Sequence, residues 1–224
     1  MLETCRHLER MGAHVSHLPA DPDGFVRSAD LEKALRPDTK LVSVMAANNV
    51  VGTLQPIYEL AEIAHRRGVL FHTDAVQAAG KVAISLKKLP IDLVSLSAHK
   101  LHGPKGVGAL VVRKGVALRP IVHGGGQERG LRSATENVAG IVGLGAAARI
   151  ARAEMADEAA RLVNLREQFV EGILAKIPNA YLIGHRFRRL PGHVSIGLAG
   201  QEPEAIKLML ELDAAGFSVS TGSA

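Results

Sequence analysis

Lys100 and Asp74 are the residues whose types and positions suggest chemistry. Lys100 follows a mostly apolar run, Ile91 to Val94, which predicts a buried strand. Gly103-Pro104 disfavours a helix directly afterwards, so we expect Lys100 on a loop at the end of this strand. A partly desolvated lysine in that position can act as a nucleophile and form a Schiff base with an aldehyde, although a lone lysine is more often a solvated surface residue.

Asp74 follows a second apolar strand. Val69 to Phe71 predicts this strand, and His72-Thr73-Asp74 comes directly after it. If the two strands are adjacent and parallel, Asp74 and Lys100 meet at the edge where open α/β sheets bind ligands. Asp74 alone equally fits a helix cap or a turn. Together, a lysine for an aldehyde and a carboxylate for a pyridinium nitrogen are the two groups that a pyridoxal phosphate (PLP) site requires.

The elements around these residues alternate between strands and helices. Leu41 to Met45 predicts a strand, Pro56 to Arg67 an amphipathic helix, and Ala109 to Val112 a further strand after Lys100. This alternation implies an α/β fold with a mostly parallel sheet and right-handed crossovers. Asn49 follows the first of these strands, and by itself it would fit a turn.

A long helix is predicted for the second half of the chain. The pattern from Glu136 to about Ile177 is almost entirely helical, and three glycines in it predict close packing: Gly140, Gly143 and Gly145. Shorter elements are expected to follow, namely strands at Tyr181 to Ile183 and His193 to Ile196, and a helix from Pro203 to Ala215.

Three segments, in order, carry a family resemblance. They are H-T-D-A-V-Q at 72–77, S-A-H-K-L-H-G-P-K-G-V-G at 97–108 and H-G-G-G-Q-E-R-G-L-R-S-A-T-E-N at 123–137. Together they closely resemble the NifS/IscS-type cysteine desulfurases, which are class V aminotransferase-like, fold-type I PLP enzymes. The resemblance covers residues 1–224. It implies a large PLP-binding domain at 1–145, with a mostly parallel sheet, and a partial small α+β domain at 146–224.

The resemblance also implies a set of site residues. Lys100 would hold PLP and act as the base at the substrate's Cα, with His99 as a second catalytic residue. Asp74 would keep the pyridine nitrogen protonated, and Thr135 would reach the phosphate of the neighbouring subunit's cofactor, which implies a homodimer. The full cofactor-binding set is Asn49, Asp74, Gln77, Ser97, His99, Lys100 and Thr135.

The implied activity is the conversion of L-cysteine to L-alanine. The sulfur would leave as a persulfide for an Fe-S scaffold or for tRNA-thiolation proteins. Two alternatives stay open: a selenocysteine lyase or class V aminotransferase, which shares the lysine and aspartate, and a catalytically incomplete binding fragment.

The family pattern extends beyond both ends of the sequence. The S-T-G-S-A segment at 220–224 resembles the part directly before the family's persulfide-forming cysteine. The arginine for the substrate carboxylate is expected further downstream. The phosphate loop and the histidine that stacks on the pyridine ring are expected upstream. We therefore expect this chain to be the central part of a desulfurase, with the N-terminal part of the large domain and the C-terminal part of the small domain missing.

Composition limits the other function classes. Hydrophobic residues make up 47% of the 224 residues, enough for a sizeable core, but aromatic residues make up only 3%. This argues against aromatic stacking platforms for single-stranded nucleic acid. The net charge is +5, yet lysines and arginines are spread along the chain, and the densest cluster is Arg186 to Arg189. We therefore expect no direct nucleic-acid binding.

The single cysteine, Cys5, excludes an intrachain disulfide, which fits a cytoplasmic location. It lies on the apolar side of a helix predicted from Leu2 to Met11, where a buried core residue is expected rather than a nucleophile. No apolar run approaches the length of a membrane span. His14 and His17 lack a matching ligand set, so no metal site is predicted.

Overall fold

The computed structural model describes residues 1–87, 90–200 and 204–222. Two short 3-10 helices, Ala98–Leu101 and Glu128–Gly130, accompany the main elements. Those elements, in chain order, are α1 Leu2–Arg10, α2 Ser28–Ala34, β1 Leu41–Ser43, α3 Ile57–Arg66, β2 Leu70–Asp74, β3 Leu93–Ser97, β4 Gly108–Val112, α4 Val138–Lys176, β5 Ala180–Leu182, β6 Ile196–Leu198 and α5 Ala205–Ala214.

The main sheet has the strand order β1-β2-β3-β4. Strands β1, β2 and β3 are parallel, while β4 pairs antiparallel with β3. The connection of residues 98–107 between β3 and β4 is too short for the crossover that a parallel pair requires, so the chain reverses direction there. The predicted α/β fold with a mostly parallel sheet is confirmed, with one antiparallel edge strand.

The core lies between one face of this sheet and α3. Phe71 of β2 is fully buried against apolar side chains of α3, among them Leu60 and Ala64. Because side chains alternate along a strand, His72 and Asp74 point to the opposite face of β2, and both are half-buried. The packing of α3 therefore decides which face of the sheet is available for the polar residues.

A buried carboxylate, that of Asp92, joins α3 to the sheet. Asp92 is 4% exposed and accepts a hydrogen bond from the backbone N–H of Phe71 at 2.8 Å. It is also hydrogen-bonded to His65 Nε2 at 2.7 Å, and Arg113 Nε lies 3.6 Å away. His65 lies in the last turn of α3 and looks like a solvated residue in the sequence, but the structure pairs it with this carboxylate.

Replacing Asp92 with alanine is expected to destabilise the fold by about 3 kcal/mol, because it leaves the buried N–H of Phe71 and the side chain of His65 without their acceptor. The free energy of unfolding in urea measures this. The matched control is Asp38→Ala, which removes an exposed carboxylate paired with Arg36 and should leave stability unchanged. Equal stability of the two variants would show that Asp92 contributes nothing to the core.

The helices differ in some details from the sequence prediction. Cys5 is half-buried rather than buried, because α1 lies on the surface and has no buried residue. The predicted helix start at Pro203 lies outside the described residues. Of the helices in the described ranges, none combines the length and the apolar character needed to cross a membrane.

The predicted boundary between two domains, at residues 145 and 146, falls inside α4. This 39-residue helix continues without interruption through that point. Leu190, from the region assigned to the small domain, lies in the same hydrophobic cluster as Phe71. The division into two domains therefore stays a prediction.

Candidate functional site

Lys100 lies in a single 3-10 turn, Ala98–Leu101, directly after β3. The buried side chains of Ala98 and Leu101 anchor this turn, whereas His99 and Lys100 are exposed. His102 ends it in the left-handed conformation, at φ 60°. The loop expected from the sequence is thus a short helical turn, which ends before Gly103.

The first part of α4 packs against this turn. Ala147 of α4 lies close to Gly103. A Cβ added to Gly103 would lie 3.1 Å from the Cβ of Ala147. A Cβ on Gly143 would lie 2.5 Å from Pro104 Cγ, so the predicted close packing holds there. It does not hold at Gly145, where an added Cβ would have no atom of another described element within 4 Å. α4 therefore supports the Lys100 turn through small residues.

Gly140 is buried at the start of α4. The atoms nearest to a Cβ added there belong to the side chain of Asn137, which accepts a hydrogen bond from the Gly140 N–H at 3.0 Å. This bond caps the start of α4. A larger side chain at position 140 would therefore collide first with the cap of its own helix.

Asp74 lies at the carboxyl end of β2. Its Oδ1 accepts a hydrogen bond from the Val76 N–H at 2.9 Å, which fixes the orientation of the carboxylate. In the register of the sheet, Asp74 is paired with Ser95, two residues before Ser97. The structure therefore brings Asp74 and the segment from Ser97 to Lys100 to the same edge of two neighbouring parallel strands.

Ser97 and His99 form a polar pair beside Lys100. The Ser97 hydroxyl is hydrogen-bonded to His99 Nδ1 at 2.8 Å, which orients the imidazole ring. A hydroxyl and an imidazole next to each other are suitable donors for an anionic group such as a phosphate.

A second lysine, Lys81, lies near this group. Its Nζ donates a hydrogen bond to Gln77 Oε1 at 3.3 Å. Burial lowers the pKa of Lys81, and the charge of Lys100 lowers it further. No motif in the sequence points to Lys81, although it follows Gln77 by four residues. Two amines within electrostatic reach of each other favour an anionic ligand.

His72 links three strands and was also missed. Its Nδ1 is hydrogen-bonded to the Ser43 hydroxyl of β1 at 2.7 Å, and its Nε2 to the Ser95 hydroxyl of β3 at 2.9 Å. Burial lowers the pKa of His72, and the charge of Asp74 opposes this shift. The signal in the sequence was a histidine two residues before Asp74, on the same face of the strand.

This lowered pKa predicts a pH dependence of stability. The imidazole of His72 takes up a proton less readily in the folded chain than in the unfolded chain, where histidine has a pKa of about 6.5. The stability that the neutral imidazole contributes is therefore present above about pH 6.5, and it is lost as the pH falls from there toward the lower pKa of the folded chain. We expect His72→Gln to lose less stability than the wild type between about pH 7 and about pH 5. Urea unfolding at each pH measures this, with the exposed His7→Gln as control, and parallel curves for all three proteins would contradict it.

Asn49 lies in the loop after β1. The side chain of its neighbour Asn48 forms the turn, because Asn48 Oδ1 accepts hydrogen bonds from the backbone N–H groups of Val50 and Val51 at 2.8 and 2.9 Å. The carbonyl of Asn49 is hydrogen-bonded to His193 Nε2 at 2.8 Å. The turn-forming role that the sequence allowed for Asn49 thus belongs to Asn48.

Thr135 is exposed and lies on the connection between β4 and α4. This connection also exposes apolar side chains, including Ile121 at 92% and Val122 at 46%. Its neighbour Ser133 is buried and bonded to the backbone of the same connection. The role of Thr135 toward a neighbouring subunit stays a prediction.

The donor set at the sheet edge fits PLP. It contains a carboxylate for the ring nitrogen, an amine for the aldehyde, and a hydroxyl-imidazole pair for the phosphate. By contrast, no group of three or more His, Cys, Asp or Glu residues within 1–87, 90–200 and 204–222 is placed to hold a metal ion.

Comparisons with known proteins agree with this chemistry. The sequence matches the aminotransferase class-V family over residues 1–224. The cysteine desulfurase IscS of Dictyoglomus turgidum is 49% identical over 224 residues, which are 100% of this chain and 56% of that protein. The chain thus spans about half the length of this curated relative.

Solved structures show the same likeness. A NifS-like protein superposes with a TM-score of 0.93 and 44% identity, covering 99% of this chain and 60% of that one. SspA in complex with cysteine gives a TM-score of 0.81 and 33% identity, covering 100% of this chain and 61% of that one. On its sequence, its sheet and the residues at the edge of that sheet, this chain belongs to the aminotransferase class-V family.

Proposed function

We propose that this chain carries the cofactor site of a PLP-dependent cysteine desulfurase, which converts L-cysteine to L-alanine. The observation that carries the proposal is the placement of Asp74 at the end of β2 and of Lys100 directly after the end of β3, the neighbouring parallel strand. The identity of 49% to a cysteine desulfurase over the whole chain supports it, as does the likeness to SspA in complex with cysteine.

The proposed cofactor residues act through ordinary acid-base and hydrogen-bond chemistry. When bound, PLP supplies an electron sink for the bonds around the substrate's Cα. The Lys100 Nζ would hold the aldehyde, and its amine would be the base at the substrate's Cα. The Asp74 carboxylate, whose orientation is fixed by the Val76 N–H, would keep the ring nitrogen protonated.

The remaining residues orient the bound groups. Ser97 and His99, which are hydrogen-bonded to each other, would donate to the phosphate. The side-chain amide of Gln77, which accepts a hydrogen bond from Lys81, would donate to the phenolic oxygen. Asn49 contributes from the loop after β1. The carbon–sulfur bond of L-cysteine breaks, and the sulfur is transferred to a thiol as a persulfide. This thiol is not identified with Cys5, which lies half-buried on the surface helix α1.

A homodimer is part of the proposal. Large apolar side chains are exposed on the connection that carries Thr135, and also at the start of α4. They are Ile121, Val122, Leu131, Val138 and Ile141. A surface of this kind is typical of a protein interface. In such a dimer Thr135 reaches the neighbouring cofactor, and Fe-S scaffold or tRNA-thiolation proteins accept the sulfur in the cytoplasm.

The purified protein, incubated with PLP, tests this function. L-Cysteine should change the absorbance of the bound cofactor and release alanine, whereas L-alanine alone should release no sulfide. Equal turnover of selenocysteine would favour a selenocysteine lyase. If PLP binds but neither substrate reacts, the chain is a binding fragment, and if PLP does not bind at all, the proposed site is wrong.

A further inference from the structure

Arg189 is a buried cation whose hydrogen-bonding groups are only partly used. The residue is 3% exposed. Its Nη2 donates to the carbonyls of Val51 at 2.6 Å and Ile183 at 3.0 Å. Its Nε and Nη1 are buried and have no hydrogen-bond partner among the described residues. Since a guanidinium has no neutral form in proteins, this side chain stays charged and its remaining N–H groups call for an acceptor.

Two further guanidinium groups, those of Arg166 and Arg186, lie within electrostatic reach of Arg189. Arg166 is 7% exposed, and Arg186 has a buried Nη1 that also finds no partner among the described residues. Burial lowers the pKa of Arg189, and the charges of Arg166 and Arg186 lower it further, which shows that all three lie within electrostatic reach. We name Arg166, Arg186 and Arg189 the arginine cluster.

The carboxylates near the arginine cluster do not match its charge. Glu167 is shared, because its Oε1 binds Arg166 Nη2 at 2.7 Å and its Oε2 binds Arg186 Nη2 at 2.5 Å. Glu171 lies 3.8 Å from Arg186 and is 73% exposed. Three cations against these two carboxylates leave one positive charge without a partner. The direct ion pairs go to Arg166 and Arg186, and Arg189 feels the charge of Glu167 only at longer range. A buried charge without a counter-charge is strongly unfavourable.

The cluster lies where the loop after β1 meets the segment before β6. Arg189 forms a backbone bridge with Thr53, and the Leu190 N–H donates to the Gly52 carbonyl at 2.9 Å. Because of this contact, the arginines of the basic run at residues 186–189 do not all point the same way. Arg188 turns outward and stacks over Phe25, 4.7 Å from the ring centre, while Arg189 turns inward.

We propose that Arg189 and Arg186 form a binding site for one small monovalent anion, either chloride or a carboxylate of the size of acetate. The anion accepts hydrogen bonds from the guanidinium N–H groups that the protein leaves unused, and it supplies the single negative charge that the cluster lacks. By holding Arg189 in place, it also stabilises the loop of residues 48–53, which carries Asn49.

Thermal unfolding of the purified chain tests the site. At constant ionic strength, bulky gluconate is replaced by chloride or acetate. An anion that binds only the folded chain should raise the midpoint by about 5 °C between about 5 mM and about 300 mM. The variant R189M should lose this rise, whereas R188Q removes an equal charge from the neighbouring exposed position and should keep it.

A second variant guards against an R189M protein that does not fold. R186Q changes a half-buried residue and should reduce the rise without abolishing folding. A rise with acetate alone identifies a carboxylate site, and one with chloride identifies a halide site. The proposal is overturned if the wild-type midpoint does not respond to either anion, or if R186Q and R188Q respond as strongly as the wild type.

Discussion

A Lys100→Ala variant is expected to lose covalent PLP entirely and to release alanine from L-cysteine at least about 10²–10⁴-fold more slowly, the usual cost of removing a general base. The physical reason is that Lys100 supplies both the amine for the aldehyde and the base at Cα. Its turn stands at the end of β3, beside Asp74 on the neighbouring strand. Borohydride reduction of the PLP-loaded protein, followed by peptide mass spectrometry, measures the attachment site independently of activity.

Two lysines close by serve as controls. Lys105→Ala removes an exposed lysine from the same connection and should leave the attachment unchanged. Lys81→Ala removes the second amine near Lys100 and should weaken PLP binding without moving the site of attachment, since its Nζ binds Gln77. A pyridoxyl group found on Lys81 or Lys105 in the wild type would refute the assignment of Lys100.

A Gly143→Ala variant is expected to be less stable than the wild type, although alanine favours a helix by about 1 kcal/mol over glycine. The added Cβ would lie 2.5 Å from Pro104 Cγ, so the turn that carries Lys100 must move away from α4. Such overpacking costs about 1–3 kcal/mol, which exceeds or cancels the helix gain. Urea unfolding measures stability, and a PLP titration measures the effect on the site.

Gly145→Ala is the matched control. Gly145 lies in the same helix, but its added Cβ would have no atom of another described element within 4 Å. It should gain about 1 kcal/mol of stability from helix propensity alone. The two variants should therefore differ by about 1–3 kcal/mol, and only Gly143→Ala should weaken PLP binding. Equal stabilisation of both would show that the contact between Pro104 and α4 does not support the Lys100 turn.

The sequence determined the type of fold and the position of the two central residues. Apolar runs of strand length end shortly before Asp74 and before Lys100, and the helix α3 is visible from its period. These signals are local, because a buried strand or an amphipathic helix needs apolar residues at fixed spacings. The three ordered segments at 72–77, 97–108 and 123–137 then indicated the family, which the comparisons confirm.

The tertiary structure alone decided which side chains meet. The local sequence does not distinguish Gly143 from Gly145. Yet a Cβ added to Gly143 would collide with Pro104, whereas one added to Gly145 would meet no other described element within 4 Å. Neighbouring arginines show the same limit, because Arg188 is exposed, whereas Arg189 is buried in a segment that pairs with Thr53.

The polar contacts across the sheet could not be predicted either. His72 reaches hydroxyls on two other strands, and His65 reaches the carboxylate of Asp92, 27 positions later in the chain. Spacing along the sequence predicts the face on which a residue lies, since that face follows from the period of one element. The partner on that face depends on register and packing between distant elements, which only the folded chain defines.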